Sequence, residues 1–190
     1  MKLSEIINEV NKDIDDDLDT ADITSWVNRC LDDLTPFANY LKQATVSLVA
    51  GQSNYPKPAD LIKIDQLVDT SQAVPYKLRE LPLGDFISTG YKVIGSEIVI
   101  QPMPKQAKVL TLFYEGALPH LSTADDVPVI RADFHDLLVL YGVARARYQD
   151  EEESLQAGAM TEYMRRRQQF IYEMRKSPLI VIQDFMGIGW

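Results

Sequence analysis

The stretch from Phe134 to Arg175 constrains the fold more than any other part of the chain. Phe134, Leu137, Leu138, Tyr141, Ala144 and Tyr148 recur at steps of three and four, so they share one face of a helix. Asp133 stands just before that run, placed to accept from the exposed amides of a first turn. Leu155, Ala159, Tyr163, Phe170 and Met174 make a second stripe of the same period. Asp150, Glu151, Glu152 and Glu153 lie at its start, where the helix dipole favours negative charge, and Arg175 and Lys176 lie at its end. Pro178 then stops it. A hairpin of ~40 residues is at the lower limit of what holds a core unaided. Both stripes therefore need other helices, from this chain or from a neighbouring one.

The N-terminal region offers two. Ser4 can cap a first helix with Leu3, Ile6, Ile7, Val10 and Ile14 apolar. Ile23, Trp26, Val27, Cys30, Leu31 and Leu34 form the cleanest stripe in the chain, with Asp19 or Asp22 as its cap and Pro36 at its end. Trp26 reads as a core anchor. Between the two, Asp13, Asp15 and Asp17 imitate the start of a calcium loop. The match fails where the coordination is strictest. Leu18 occupies the position that needs glycine, and Thr24 the position that needs a bidentate glutamate. A solvated acidic connector is the simpler reading.

From Ala44 the periodicity falls to two. Thr45–Val49 reads as a strand, Ala50–Asn54 as a turn, and Leu61–Val68 as another strand, with Val74–Leu78 as a third. Leu83–Ser88, after Pro82, reads as a short helix. Tyr91–Ile94, Gly95-Ser96 and Glu97–Ile100 form a hairpin signal whose two-residue link suits a type II′ or I′ turn. Pro102 and Pro104 end that strand, and Lys108–Tyr114 alternates as a last one. Leu118–Pro128 is a loop. The expected fold is α+β: a bundle of N- and C-terminal helices with a β-rich insertion between them and an extended C-terminal tail. Its parts are residues 1–43, 44–118, 119–176 and 177–190. In that tail Leu179, Ile180, Val181, Ile182, Phe185, Met186, Ile188 and Trp190 crowd together. A terminus this apolar folds back on its own domain or docks on a partner.

Composition narrows the function classes. A net charge of −9 opposes tight sequence-independent binding to nucleic acid, which needs Lys and Arg on phosphates. It leaves room for a protein that DNA merely passes. Cys30 is the single cysteine, so no internal disulfide and no thiolate metal cage can form. It falls on an apolar helix face and reads as a buried, inert thiol. No apolar run approaches the ~20 residues that span a bilayer, and no secretory segment follows Met1. The expected setting is a soluble cytosolic product, or part of a larger particle assembled there.

No reaction emerges from the motifs. His135-Asp136 looks like the metal dyad of the HD phosphohydrolases, but that chemistry needs further histidines, and His120 is the only other one. A helical His among acidic neighbours is ordinarily solvated. Walker, G-x-G-x-x-G, G-x-S-x-G and H-E-x-x-H patterns are absent. No catalytic, metal or cofactor-binding residue is assigned, and no cofactor is expected. Arg165, Arg166 and Arg167 form a basic run on a helix, one arginine near the apolar stripe and the others outward. Salt bridges across a subunit boundary, or to the acidic connector, suit them better than phosphate.

The layout resembles the phage head-to-tail adaptor (connector) proteins, in particular the podovirus adaptor family similar to SU10. Four stretches carry the resemblance. They are Ile23–Asn28; Gly51–Pro56 leading to Pro58–Ile64; Tyr91–Pro102 followed by Leu110–Tyr114; and Phe134–Leu138 with Tyr141, Ala144 and the long helix. The order of all four is the signal. The resemblance implies a virion structural protein and no enzyme. It implies a homo-oligomeric ring, usually twelve-fold, beneath the portal in the virion neck. Its partners would be the portal protein and tail or nozzle proteins, with DNA only passing through the channel and no membrane. The C-terminal segment with Leu179–Ile182, Phe185, Met186, Ile188 and Trp190 would grip the portal. The competing readings are a small metal-dependent hydrolase using His135 and Asp136, and a helical DNA-binding regulator.

Overall fold

The structure, a computed structural model, describes residues 1–14, 17–71, 74–149 and 153–176. Asp15, Asp16, Asp150, Glu151, Glu152 and the whole tail from Ser177 to Trp190 lie outside the described residues. The chain divides into two compact units, Met1–Ala38 with Leu118–Trp190, and Asn39–Ala117. Together they make an α+β fold, with four α-helices and two antiparallel sheets among the described residues.

The first unit is helical: α1 (Leu3–Ile14), α2 (Thr20–Leu34), α3 (Asp136–Gln149) and α4 (Glu153–Lys176). All six stripe residues of α2 are buried, Trp26 and Cys30 among them. Asp19 caps α2, its carboxylate accepting from Ala21 N at 2.8 Å. Ser4 does not cap α1, which already begins at Leu3. The first amides of α1 are satisfied from the loop before α3 instead: Leu3 N donates to Asp126 O and Ser4 N to Ala124 O, at 2.8 and 3.0 Å. Asp133 does not cap α3 either. A 3-10 turn (Ala132–Phe134) leads into that helix, and its own backbone bonds use the amides a cap would serve. The Asp133 carboxylate takes the Arg131 guanidinium, at 3.1 and 2.6 Å.

Helix α3 is the centre of this unit, packed against α1, α2 and α4. It is accordingly buried on most sides, through Leu137, Leu138, Val139, Gly142, Ala144 and Ala146. Tyr148, expected on the inner stripe, is 63% exposed, with the Arg145 guanidinium 5.5 Å from its ring. The single-stripe pattern describes a helix with one neighbour. A helix with three places small residues at its closest contacts, and the large Tyr148 is left outside in the last turn. Phe134 meets Phe170 edge to face, and Tyr141 meets Tyr163 in the same way, each pair at 5.2 Å between centroids.

The second unit holds β1 (Leu41–Leu48), β2 (Asn54–Pro56), β3 (Leu61–Asp69), β4 (Tyr76–Leu78), β5 (Gly90–Ile94), β6 (Glu97–Gln101) and β7 (Lys108–Gly116). The sheets run β1-β7-β3-β4 and β2-β6-β5. Alternate residues of both meet in one core, including Val46, Leu67, Ile98, Ile100, Leu110 and Leu112. Strand β1 begins four residues earlier than its apolar run suggests, because Leu41 already pairs with Glu115 of β7. In the β5–β6 hairpin Gly95 takes φ +59° while Ser96 stays outside the left-handed region, which is the type II′ form. The helix expected over Leu83–Ser88 is not formed. Asp85 accepts from the amides of Ile87 and Ser88 at 3.0 and 2.9 Å, and this side-chain capture replaces helical bonding.

Candidate functional site

The inner face of α4 carries charge where a simple stripe would be apolar. Tyr163 and Phe170 are buried, and between them Arg166 and Arg167 also turn inward, with side chains 20% and 16% exposed. Only Arg165 faces out, where the sequence reading had two of the three outward. Each arginine has a carboxylate inside the chain. Arg165 pairs with Glu162 one turn back at 2.5 Å, Arg166 with Asp136 of α3 at 2.7 Å, and Arg167 with Asp33 of α2 at 2.5 Å. Arg166 also donates to the carbonyl of Asp133 and lies over the Phe134 ring. Arg167 lies over Phe37 at 4.9 Å.

Asp33 is the hub of this network. It accepts Arg167 Nε and Nη2, at 2.5 and 3.0 Å, and the Tyr163 hydroxyl at 2.6 Å. Burial pushes its carboxyl up, but hydrogen bonds from Arg167 and Tyr163 outweigh that and hold it below the ordinary range. Burial pushes the Tyr163 hydroxyl far up, so it stays a neutral donor. Burial also raises the neighbouring Cys30 thiol to about 12. A thiol this hard to ionise is a poor nucleophile, and the inert reading of Cys30 stands. The network ties α4 to α2 and α3.

The dyad expected for a hydrolase is engaged otherwise. His135 is 2% exposed rather than solvated. Its Nε2 lies 3.0 Å from Ile130 O and its Nδ1 2.8 Å from the α-amino group of Met1, so both ring nitrogens are used. Asp136 is the partner of Arg166. His120 bonds Asp32 at 2.8 Å on the surface. Among the described residues no group of three or more His, Cys, Asp or Glu is placed to hold a metal ion. Of the acidic connector, Asp17 accepts from Asn11 Nδ2 and Leu18 N donates to Asn11 Oδ1.

This bundle with an inserted β unit follows the element order of the resemblance, and the comparison with protein families decides it. A family model described as SU10 adaptor protein matches residues 1–181. The chain belongs to the SU10 adaptor family. None of the curated proteins matches it. The match covers both units of this phage adaptor and ends inside the apolar tail, whose eight singled-out residues lie outside the described ones. No helix among the adaptor's described residues is long and apolar enough to cross a membrane.

One surface of the adaptor was not legible in its sequence. Leu83, Phe86 and Ile87 stand out from the β unit, and a groove of about 620 Å³ opens in the same unit beside Met103. Read as a helix, Leu83–Ser88 would have buried one face. The clue was Asp85 two and three residues before Ile87 and Ser88, a spacing that favours a side-chain-stabilised turn.

Proposed function

We propose that this adaptor is a virion structural protein that forms a ring beneath the portal, joins capsid to tail and lets DNA pass along the ring's axis. Family membership over residues 1–181 is the observation that carries the reading. The acidic balance, −9 overall, supports it, because an acidic channel repels DNA and lets it slide. Exposed apolar residues, Leu83, Phe86 and Ile87 among them, support it too, since repeated copies in a ring cover faces that a single copy leaves open. By resemblance the ring is twelve-fold, sits in the virion neck and presents its outer side to tail or nozzle proteins.

In this reading Leu179–Ile182, Phe185, Met186, Ile188 and Trp190 fill apolar pockets on the portal. Arg165 is the arginine we assign to a neighbouring copy. Its side chain is 64% exposed and its bond to Glu162 spans only one turn of its own helix, whereas Arg166 and Arg167 are committed within the bundle. The test is to size the purified protein with and without portal particles and to image the mixture. A ring of adaptor seated on the portal is expected. A protein whose size is unchanged beside portal particles overturns the reading.

A further inference from the structure

In the β unit Leu83, Phe86 and Ile87 are 66%, 81% and 97% exposed. Three large apolar side chains so close in sequence and so open to water mark a contact surface. The segment that carries them is already fixed. Asp85 holds the amides of Ile87 and Ser88. Lys92, only 4% exposed, donates from Nζ to Leu83 O at 3.1 Å and sits 4.5 Å from the Phe86 ring. Gln101 Nε2 donates to Ser88 O at 2.8 Å. Ordering of the loop therefore precedes any partner, which lowers the entropy lost on binding.

The same unit carries a matching receptor. The groove is walled by Leu48, Leu78, Ile100, Leu110 and Met103, and Lys105 stands on its rim. Its volume, about 620 Å³, is in the range that takes several side chains. Charge matches as well. Hydrogen bonds from Ser88 and Ile87 hold the Asp85 carboxyl down at about 2, so the tip is anionic, and Lys105 is an exposed cation.

We propose that the tip formed by Leu83, Phe86 and Ile87 in one copy seats in this groove of a second copy, with Asp85 facing Lys105. The inference rests on the ring reading for bringing copies together. The tip's apolar residues are not among those lining the groove, so each contact joins unlike surfaces of two copies, as in a ring, while Thr89 and Gln101 place the groove beside the tip's own segment. Both halves lie on one chain, which favours a second copy over a foreign protein.

The test mixes full-length Gly84→Cys, a tip position where a side chain meets nothing within 4 Å, with full-length Met103→Cys under mild oxidation, at high concentration and on portal particles. Both positions are exposed and the native Cys30 is buried, so neither substitution touches the core. A disulfide-linked dimer in the mixture, but not with either variant alone, is expected. The double variant F86S/I87S should weaken self-association by about tenfold or more. A ring on the portal without that cross-link overturns the proposal, keeps the ring, and passes the tip to another virion protein. Neither ring nor cross-link overturns both. The cross-link without a ring on the portal keeps the contact and removes the ring reading.

Discussion

Asp33 shows how one carboxylate holds a helix in place. It sits on α2 and gathers the Arg167 guanidinium and the Tyr163 hydroxyl, two donors from α4. Asp33→Ala leaves both donors without their acceptor, and we expect a loss of about 1–2 kcal/mol in urea unfolding, the lower part of the buried range because Asp33 is 39% exposed. The pH dependence has a definite sign. The folded carboxyl is held below its unfolded value, about 3.9, so it contributes stability above that pH and loses it as pH falls through the folded value. Asp33→Asn should flatten part of the stability loss below about pH 4, measured by unfolding across pH. Cys30 belongs to the same cluster and gives a second residue-level prediction. With its thiol buried and raised to about 12, it should resist a thiol reagent in the folded protein and react at once in denaturant.

At the scale of elements, α1 and α3 approach each other closely at Gly142. A Cβ built on Gly142 would lie 2.8 Å from a methyl of Val10. Gly142→Ala should therefore destabilise by about 1–3 kcal/mol through overpacking, although alanine is the better helix former. Asp19→Ala should cost about 1 kcal/mol as the cap of α2 is lost, and thermal unfolding of both variants checks these values. The same elements show what periodicity records. The stripe of α2 was read in full, because a helix that buries one side writes that side into its spacing. Helix α3 was read in part, because three neighbours bury Gly142, Ala144 and Ala146 along with the large residues, and no single stripe contains them. The bond between Arg167 and Asp33 joins residues far apart in the chain, and neither residue's surroundings name the other. The loop at Asp85 was read as helix because its side-chain bonds to Ile87 and Ser88 leave no periodic trace.

At the scale of the whole molecule, the tail and the bundle are separable claims. A chain ended after Lys176 should unfold like the full chain and fail to bind portal particles, as measured by calorimetry and co-sedimentation. Retained binding would remove the portal role from Leu179–Ile182, Phe185, Met186, Ile188 and Trp190. The β unit joins the bundle in a way that bears on what could be exchanged. In the helical unit Leu118 N meets Thr35 Oγ1 at 3.2 Å, and in the β unit Gly116 N meets Tyr40 O at 2.9 Å. Each unit thus brings its own two severed ends side by side. The bundle could be closed by a short glycine-serine bridge, and the β unit is a cassette that another could replace. Such a joint lets selection rewrite the β unit while the helices that hold their place stay as they are.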